Sequence, residues 1–233
     1  MSDPDEANRP SELIIWGRTT AINVPKVVWA ADEVGIPYRR IDAGYGFGVV
    51  DTPDFLRMNP NGRVPTIDDD GFVLWESHAI VRYLCARYGS GDVYPADLCL
   101  RMSAERWMDW QATDVFTAYR PAYNVLRRGG DLFTREQAEA ALARTLGLLG
   151  ILDRRLAESR FVAADHFTIG DIPLGIQVHD VMRLGREVPG LENMKRWYRS
   201  LCARPGAQTA MAMIPALEST AAASAPAGLA AGN

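Results

Sequence analysis

An acid and a hydroxyl stand side by side at Glu76 and Ser77, where the apolar run Phe72-Val73-Leu74-Trp75 gives way to an amphipathic stretch. With Ser77 as N-cap and Glu76 beside the helix's partial positive charge, the pair offers an acceptor to an ammonium and donors to a carboxylate. Upstream, Asn59-Pro60-Asn61-Gly62-Arg63 marks a turn. Val64-Pro65-Thr66-Ile67 and residues 72–75 then have the length and composition of two strands joined across Asp70-Gly71, a favoured hairpin dipeptide. Pro65 at the start of a strand removes no central ladder bond. Acid, hydroxyl and backbone together suit a peptide-like ligand carrying both an ammonium and a carboxylate. The same residues also read as a plain hairpin with a capped helix behind it.

The elements that must position this group follow from periodicity. Leu13-Ile14-Ile15-Trp16 is a continuous apolar run of strand length ended by Gly17, as expected of a strand buried on both faces. Residues 18–22 form a short loop. Val24, Val27, Val28 and Ala31 repeat at i, i+3, i+4, i+7 in a helix that stops at Gly35 before Pro37. Tyr38 to Asp42 supplies a second strand, and the right-handed crossover sets the two strands parallel. An irregular stretch over 43–58 carries a helical turn at Pro53 to Met58. Its glycines lack the G-x-G-x-x-G order and no helix opens directly after them, which sets a nucleotide function aside. The helix over 77–88 has Val81, Leu84, Cys85 and Tyr88 on one face. The order is therefore βαβ, loop, ββα.

Beyond a linker the sequence is helical throughout. Leu98 to about Leu126 is one long aromatic-rich stretch that Pro121 should kink or end. Thr134 and Gln137 form a capping box for a helix reaching Leu156. Thr168-Ile169-Gly170-Asp171 opens a nearly apolar helix by the same reciprocal logic, the Thr168 hydroxyl capping an N–H and Asp171 reaching back. Shorter helices over about 191–201 and 207–217 complete the bundle. The expected division is a loose tail at 1–11, a first domain at 12–89, a linker at 90–97, an all-helical domain at 98–218 and an Ala/Ser/Gly-rich tail at 219–233.

Bulk properties exclude several classes. A chain of 233 residues with 48% hydrophobic content can bury a sizeable core and divide in two. A formal charge of −4 with no Lys/Arg block argues against nucleic acid and anionic membranes as partners. No apolar run approaches the ~18 residues of a membrane span, and the acidic first residues lack the basic start of a signal peptide, so a cytoplasmic location follows. Cys85, Cys99 and Cys202 are widely spaced and not in C-x-x-C form, against a disulfide framework, a zinc site and a dithiol motif; Cys85 and Cys202 lie on apolar helix faces and read as buried thiols. His78, His166 and His179 are not at metal-ligand spacing, and no metal is expected.

The run Asn59-Pro60-Asn61-Gly62-Arg63-Val64-Pro65 with the later Glu76-Ser77 resembles the glutathione transferase family, in particular its bacterial theta- and nu-like members, over most of residues 12 to 218. The resemblance implies an α+β fold, a thioredoxin-like N-terminal domain with an all-α C-terminal helical bundle. It implies glutathione as co-substrate. Pro65 would be cis, with the Val64 backbone meeting the cysteinyl part of the tripeptide, and Glu76 and Ser77 would hold the γ-glutamyl ammonium and carboxylate. Arg63 falls where the family often places a residue against the glycyl carboxylate; an exposed solvated arginine is the other reading. The family's hydroxyl donor to sulfur falls on Ala21, which has none, and this is the main departure from the pattern.

A thiol with an ordinary pKa of ~8.5 must be ionised for transfer at neutral pH. Asn23 aligns with an asparagine that assists the thiol in one bacterial subfamily. As N-cap its carbonyl oxygen would accept the Lys26 N–H, because Pro25 has none, leaving the side-chain NH2 to donate to sulfur. Asn23 as a cap alone stays open, as does Thr20, either a second donor or a plain loop hydroxyl. Trp110, Phe116, Tyr119 and Tyr123 are candidates for an apolar co-substrate wall or for core, with Trp107 packing inward. The resemblance implies a homodimer and a detoxifying transferase acting on small hydrophobic electrophiles. Disulfide reduction or peroxidase chemistry with glutathione, and a non-catalytic binding protein of the same fold, are the alternatives.

Overall fold

The computed structural model describes residues 12–217; the two expected tails lie outside the described residues. Strands β1 (Leu13–Trp16), β2 (Tyr38–Ile41), β3 (Thr66–Asp69) and β4 (Phe72–Trp75) form one sheet in the order β2-β1-β3-β4. Strand β1 runs parallel to β2, with Leu13 opposite Tyr38, and antiparallel to β3, with Leu13 opposite Asp69. The parallel pair needs a crossover, and α1 (Val24–Val34) supplies it. Asp70 and Gly71 both take positive φ, 54° and 85°, the backbone of the tight hairpin expected between β3 and β4. Strand β3 starts at Thr66 instead of Val64, since Pro65 has no N–H to give to the ladder; the Val64–Pro65 peptide bond is cis.

Helices α2 (Pro53–Met58) and α3 (Ser77–Tyr88) complete this half. The buried Asp69 ties α3 to the hairpin: its carboxylate accepts the Tyr83 hydroxyl at 2.6 Å and the Tyr88 hydroxyl at 2.7 Å. The start of α3 differs from the expectation. Glu76, not Ser77, is the N-cap, and Ser77 is the first helical residue and buried. Glu76 adopts φ 70°, ψ 112°, a conformation that costs a non-glycine residue about 1–3 kcal/mol, and this abrupt turn puts the cap, and with it the first helical residue, one position earlier than a Ser77 cap implies.

The remaining described chain is helical: α4 (Leu98–Trp110), α5 (Phe116–Ala122), α6 (Arg135–Glu158), α7 (Asp171–Met182), α8 (Glu192–Cys202) and α9 (Pro205–Ala212). Pro121 does not end the first long stretch. Wider π-helical turns at Gln111–Val115 and Tyr123–Arg127 join α4 and α5 into one run that reaches Arg127, with Pro121 between them. Such turns shift the register of every later side chain.

Helix α1 sits where the halves meet, packed on α3 from its own half and on α7 and α9 from the other. Two glycines allow the approach. A Cβ at Gly175 would lie 2.8 Å from the Trp29 ring, and one at Gly206 would lie 3.2 Å from Trp29 and Asp32. Trp29 is fully buried as a result, stacked on Phe167 at 5.7 Å.

The Thr134/Gln137 capping box forms in full, with Gln137 N–H donating to Thr134 Oγ1 at 3.1 Å and Thr134 N–H to Gln137 Oε1 at 2.8 Å. Its counterpart at Thr168 forms only in half. The Asp171 carboxylate accepts the Thr168 N–H at 2.9 Å, but the Thr168 hydroxyl donates to Asp171 itself at 3.3 Å instead of accepting from the helix. Helix α7 accordingly starts at Asp171, two residues after Ile169. Asp171 also accepts the Val162 N–H and the Trp197 indole N–H, so one fully buried carboxylate pins three segments. The last helix, expected over 207–217, instead spans Pro205–Ala212, where Pro205 opens it.

Candidate glutathione site

The turn before β3 is set by Asn59, a buried residue whose role the sequence did not reveal. Its side-chain NH2 donates to the Arg63 carbonyl at 2.9 Å and to Thr66 Oγ1 at 3.0 Å, and its oxygen accepts the Asn61 N–H at 3.0 Å. Gly62 is required here: φ is 58°, and a Cβ would lie 3.0 Å from the Val50 carbonyl oxygen. Asn59 thereby holds Arg63 and Val64 at the edge of a cleft of about 400 Å³. Asn23, Ala21, Phe116 and Tyr123 line the same cleft.

Asn23 stands at the N-cap of α1 but makes no cap bond with its side chain. Its backbone is already helical, φ −89° and ψ −22°, where a capping residue needs an extended one, so the expected bond to the Lys26 N–H does not form. The preceding turn supplies the reason: Ala21 N–H donates to the Arg18 carbonyl and Val24 N–H to the Ala21 carbonyl. The amide of Asn23 is therefore left uncommitted by the helix. Ala21 is buried and presents only a methyl.

The other expected residues are distributed unevenly. Thr20 is exposed and lines a second, adjoining cavity of about 290 Å³, where its carbonyl accepts the Tyr123 hydroxyl at 3.4 Å. Pro65 is buried behind Val64, and Arg63 is exposed at the cleft. Glu76 and Ser77 line neither cavity; they stand together at the start of α3. Phe116 and Tyr123, two turns apart, share a face and pack with ring centroids 6.1 Å apart. Tyr119 is not part of that wall. It is 0% exposed and its hydroxyl donates to Asp180 at 2.6 Å, a site whose burial and carboxylate push the phenol's pKa well up. Trp110 lines neither cavity and packs edge-on against the buried Trp107, 5.3 Å away. The π-helical turn between Trp110 and Phe116 separates the two faces.

Lys26, whose side chain no sequence motif singles out, is buried between the halves. Its Nζ donates to Gln111 Oε1 at 2.9 Å and lies 3.3 Å from His78 Nε2; Gln111 in turn donates to Gln177 at 3.1 Å. Burial lowers the Lys26 pKa to about 7, opposed by the charge of Glu76, and burial with the neighbouring Lys26 and Arg82 charges lowers that of His78 to about 2. The imidazole is therefore neutral at physiological pH. The chain of groups links the start of α3, α1 and the centre of the helical half. Arg18, Tyr45 and Arg128 also line the cleft. Nothing in their local sequence distinguishes them from ordinary loop residues.

A four-stranded sheet of this topology, a cis-proline turn leading into its third strand and a helical bundle beside the cleft define a thioredoxin-like domain joined to an all-helical one. The family model described as "Glutathione S-transferase, N-terminal domain" matches residues 11–86. Glutathione S-transferase GstB of Escherichia coli is 37% identical over 207 residues, covering 87% of this chain and 99% of that protein. The theta class glutathione S-transferase of Xanthomonas axonopodis pv. citri with glutathione bound is 37% identical with a TM-score of 0.81, covering 87% of this chain and 98% of that one. The apo form of that protein gives 32% identity and a TM-score of 0.73, over 88% and 98% of the two chains. The chain belongs to the glutathione S-transferase family.

Proposed function

We propose that this chain is an enzyme that ionises glutathione and transfers its sulfur to small hydrophobic electrophiles. The single observation that carries the reading is that Asn23, Arg63 and Val64, from two separate segments, line one cleft with Phe116 and Tyr123. In this reading the Val64 backbone aligns the tripeptide, Arg63 meets its glycyl carboxylate, and Glu76 and Ser77 hold its γ-glutamyl end. Asn23 donates through its NH2 to the sulfur, and the N–H groups opening α1 add favourable potential for the anion. The thiolate then attacks the electrophile's carbon against the aromatic wall, and the leaving group departs with its electron pair. Thr20 contributes a loop hydroxyl near the second cavity.

The division of the chain at the linker 90–97, a cytoplasmic location, homodimer formation and a role in detoxification belong to the same proposal. Among the described residues, no helix is long and apolar enough to cross a membrane. Calorimetric titration with glutathione tests the reading, with saturable binding expected. No binding at millimolar concentration would overturn it. Rates with a chlorinated aromatic and with a small mixed disulfide then separate conjugation, the expected activity, from disulfide reduction.

A further inference from the structure

Charge is unevenly matched around the two cavities. Arg127 has its carboxylate: its Nε lies 2.6 Å from Asp180. Arg18 and Arg128 form no ion pair among the described residues, and both guanidiniums rest on the ring of Tyr45, 5.6 and 4.8 Å from its centroid. Tyr45 is 76% exposed, at the mouth of both cavities, so its ring is spent on the two arginines and not on core. Arg128 also lies 6.0 Å from the Tyr123 ring. The Nε of Arg18 is buried without a hydrogen-bond partner. Burial, together with the charge of Arg128, holds that guanidinium below its ordinary pKa. Two cations in one cleft, one of them desolvated and short of acceptors, favour the arrival of an anion.

Glutathione does not account for both. On the assignment above, its glycyl carboxylate goes to Arg63, its γ-glutamyl carboxylate to Ser77 and the start of α3, and its sulfur to Asn23. We propose that Arg18 and Arg128, gathered by Tyr45, form an anion subsite for the acceptor, so that the preferred electrophile is a compact one bearing a carboxylate. The proposal rests on the transferase reading. Guanidinium suits this task because its planar fork meets both oxygens of a carboxylate. The acceptor's apolar body would lie along Ile22, Phe116 and Tyr123. For an aryl chloride, the sulfur–carbon bond forms as the carbon–chlorine bond breaks and chloride leaves with the electron pair. The carboxylate is held throughout and unchanged.

The test compares chlorodinitrobenzoate with chlorodinitrobenzene, each rate divided by that acceptor's rate with free glutathione. The corrected kcat/KM should favour the acid by about tenfold, the scale of one charge-assisted pair. R18Q and R128Q should each remove most of that preference while leaving the neutral acceptor's kcat/KM within about twofold. No preference for the acid, or equal losses on both acceptors, would overturn the subsite. So would a matching loss of glutathione affinity in both variants, which would assign the guanidiniums to the tripeptide. Calorimetry with unreactive dinitrobenzoate and dinitrobenzene on the glutathione-loaded protein decides the point without turnover. If neither chloride reacts, the transferase reading fails, whereas tighter binding of the acid, lost in both variants, still supports the subsite.

Discussion

Asp171 and Asn23 both stand at the start of a helix, and they are used in opposite ways. The Asp171 carboxylate accepts from Thr168, Val162 and Trp197, and nothing of it is left for a ligand. Burial still raises its pKa to about 6, against the pull of those bonds. Asn23 caps nothing with its side chain and lines a cleft. Arg18 on the same cleft keeps a buried Nε without a partner. A buried polar group satisfied on every side serves the fold, while polar groups left short of partners at an opening are available to a substrate.

Removing Asp171 should have the largest effect. D171A leaves buried donors on three segments unpaired and should cost about 4 kcal/mol, read as a lowered urea midpoint. A loss under about 1 kcal/mol would mean that those bonds do not hold the helical half together. N23A should do the reverse. It should slow conjugation by about 10²-fold or less, the cost of one donor to a fixed anion, yet move stability by less than about 0.5 kcal/mol because no cap bond is lost. A stability loss near 1 kcal/mol with unchanged turnover would return Asn23 to a capping role.

Lys26 lies between these extremes, satisfied by Gln111 yet buried as a cation. Its native pKa of about 7 is below the unfolded value of 10.5. Between those two pH values the unfolded chain binds the extra proton, so this residue makes stability rise with pH across that window. Its share of the slope is at most about 1.4 kcal/mol per pH unit. K26M should flatten the urea midpoint's rise from neutral to mildly alkaline pH, and an unchanged slope would mean that the ammonium stays charged in the fold. The smallest effect is expected at Arg63, which is exposed. R63A should raise the KM for glutathione by about tenfold or less with kcat nearly unchanged, because it removes an interaction made equally before and during reaction.

The order of strands and helices was legible because local patterns fix it: the apolar run at 13–16, the helical repeat over 24–31 and the Asp70-Gly71 turn all form as their residues dictate. The turn before Pro65 and the pairing of Glu76 with Ser77 at the start of α3 were legible for the same reason, being contiguous in sequence, while their role toward glutathione rests on the proposal. What was not legible depends on packing across the halves. Tyr119 and Phe116 look equivalent in an aromatic stripe, but three residues apart on α5 they point differently: Tyr119 is buried against the Asp180 carboxylate and Phe116 lines the cleft. Lys26 looks like a solvated helix residue until α1 is covered from both sides. Arg18, Tyr45 and Arg128 come from distant loops and meet only in the folded chain.

On the proposed reading, the uncommitted amide of Asn23, and not a hydroxyl, ionises glutathione. Titrating the ultraviolet thiolate band of bound glutathione against pH, in the wild type and in N23A, tests it most directly. The wild-type curve should have its midpoint below the free thiol's ~8.5, and the N23A curve should move back up toward it. Superimposable curves for the two proteins would contradict the claim.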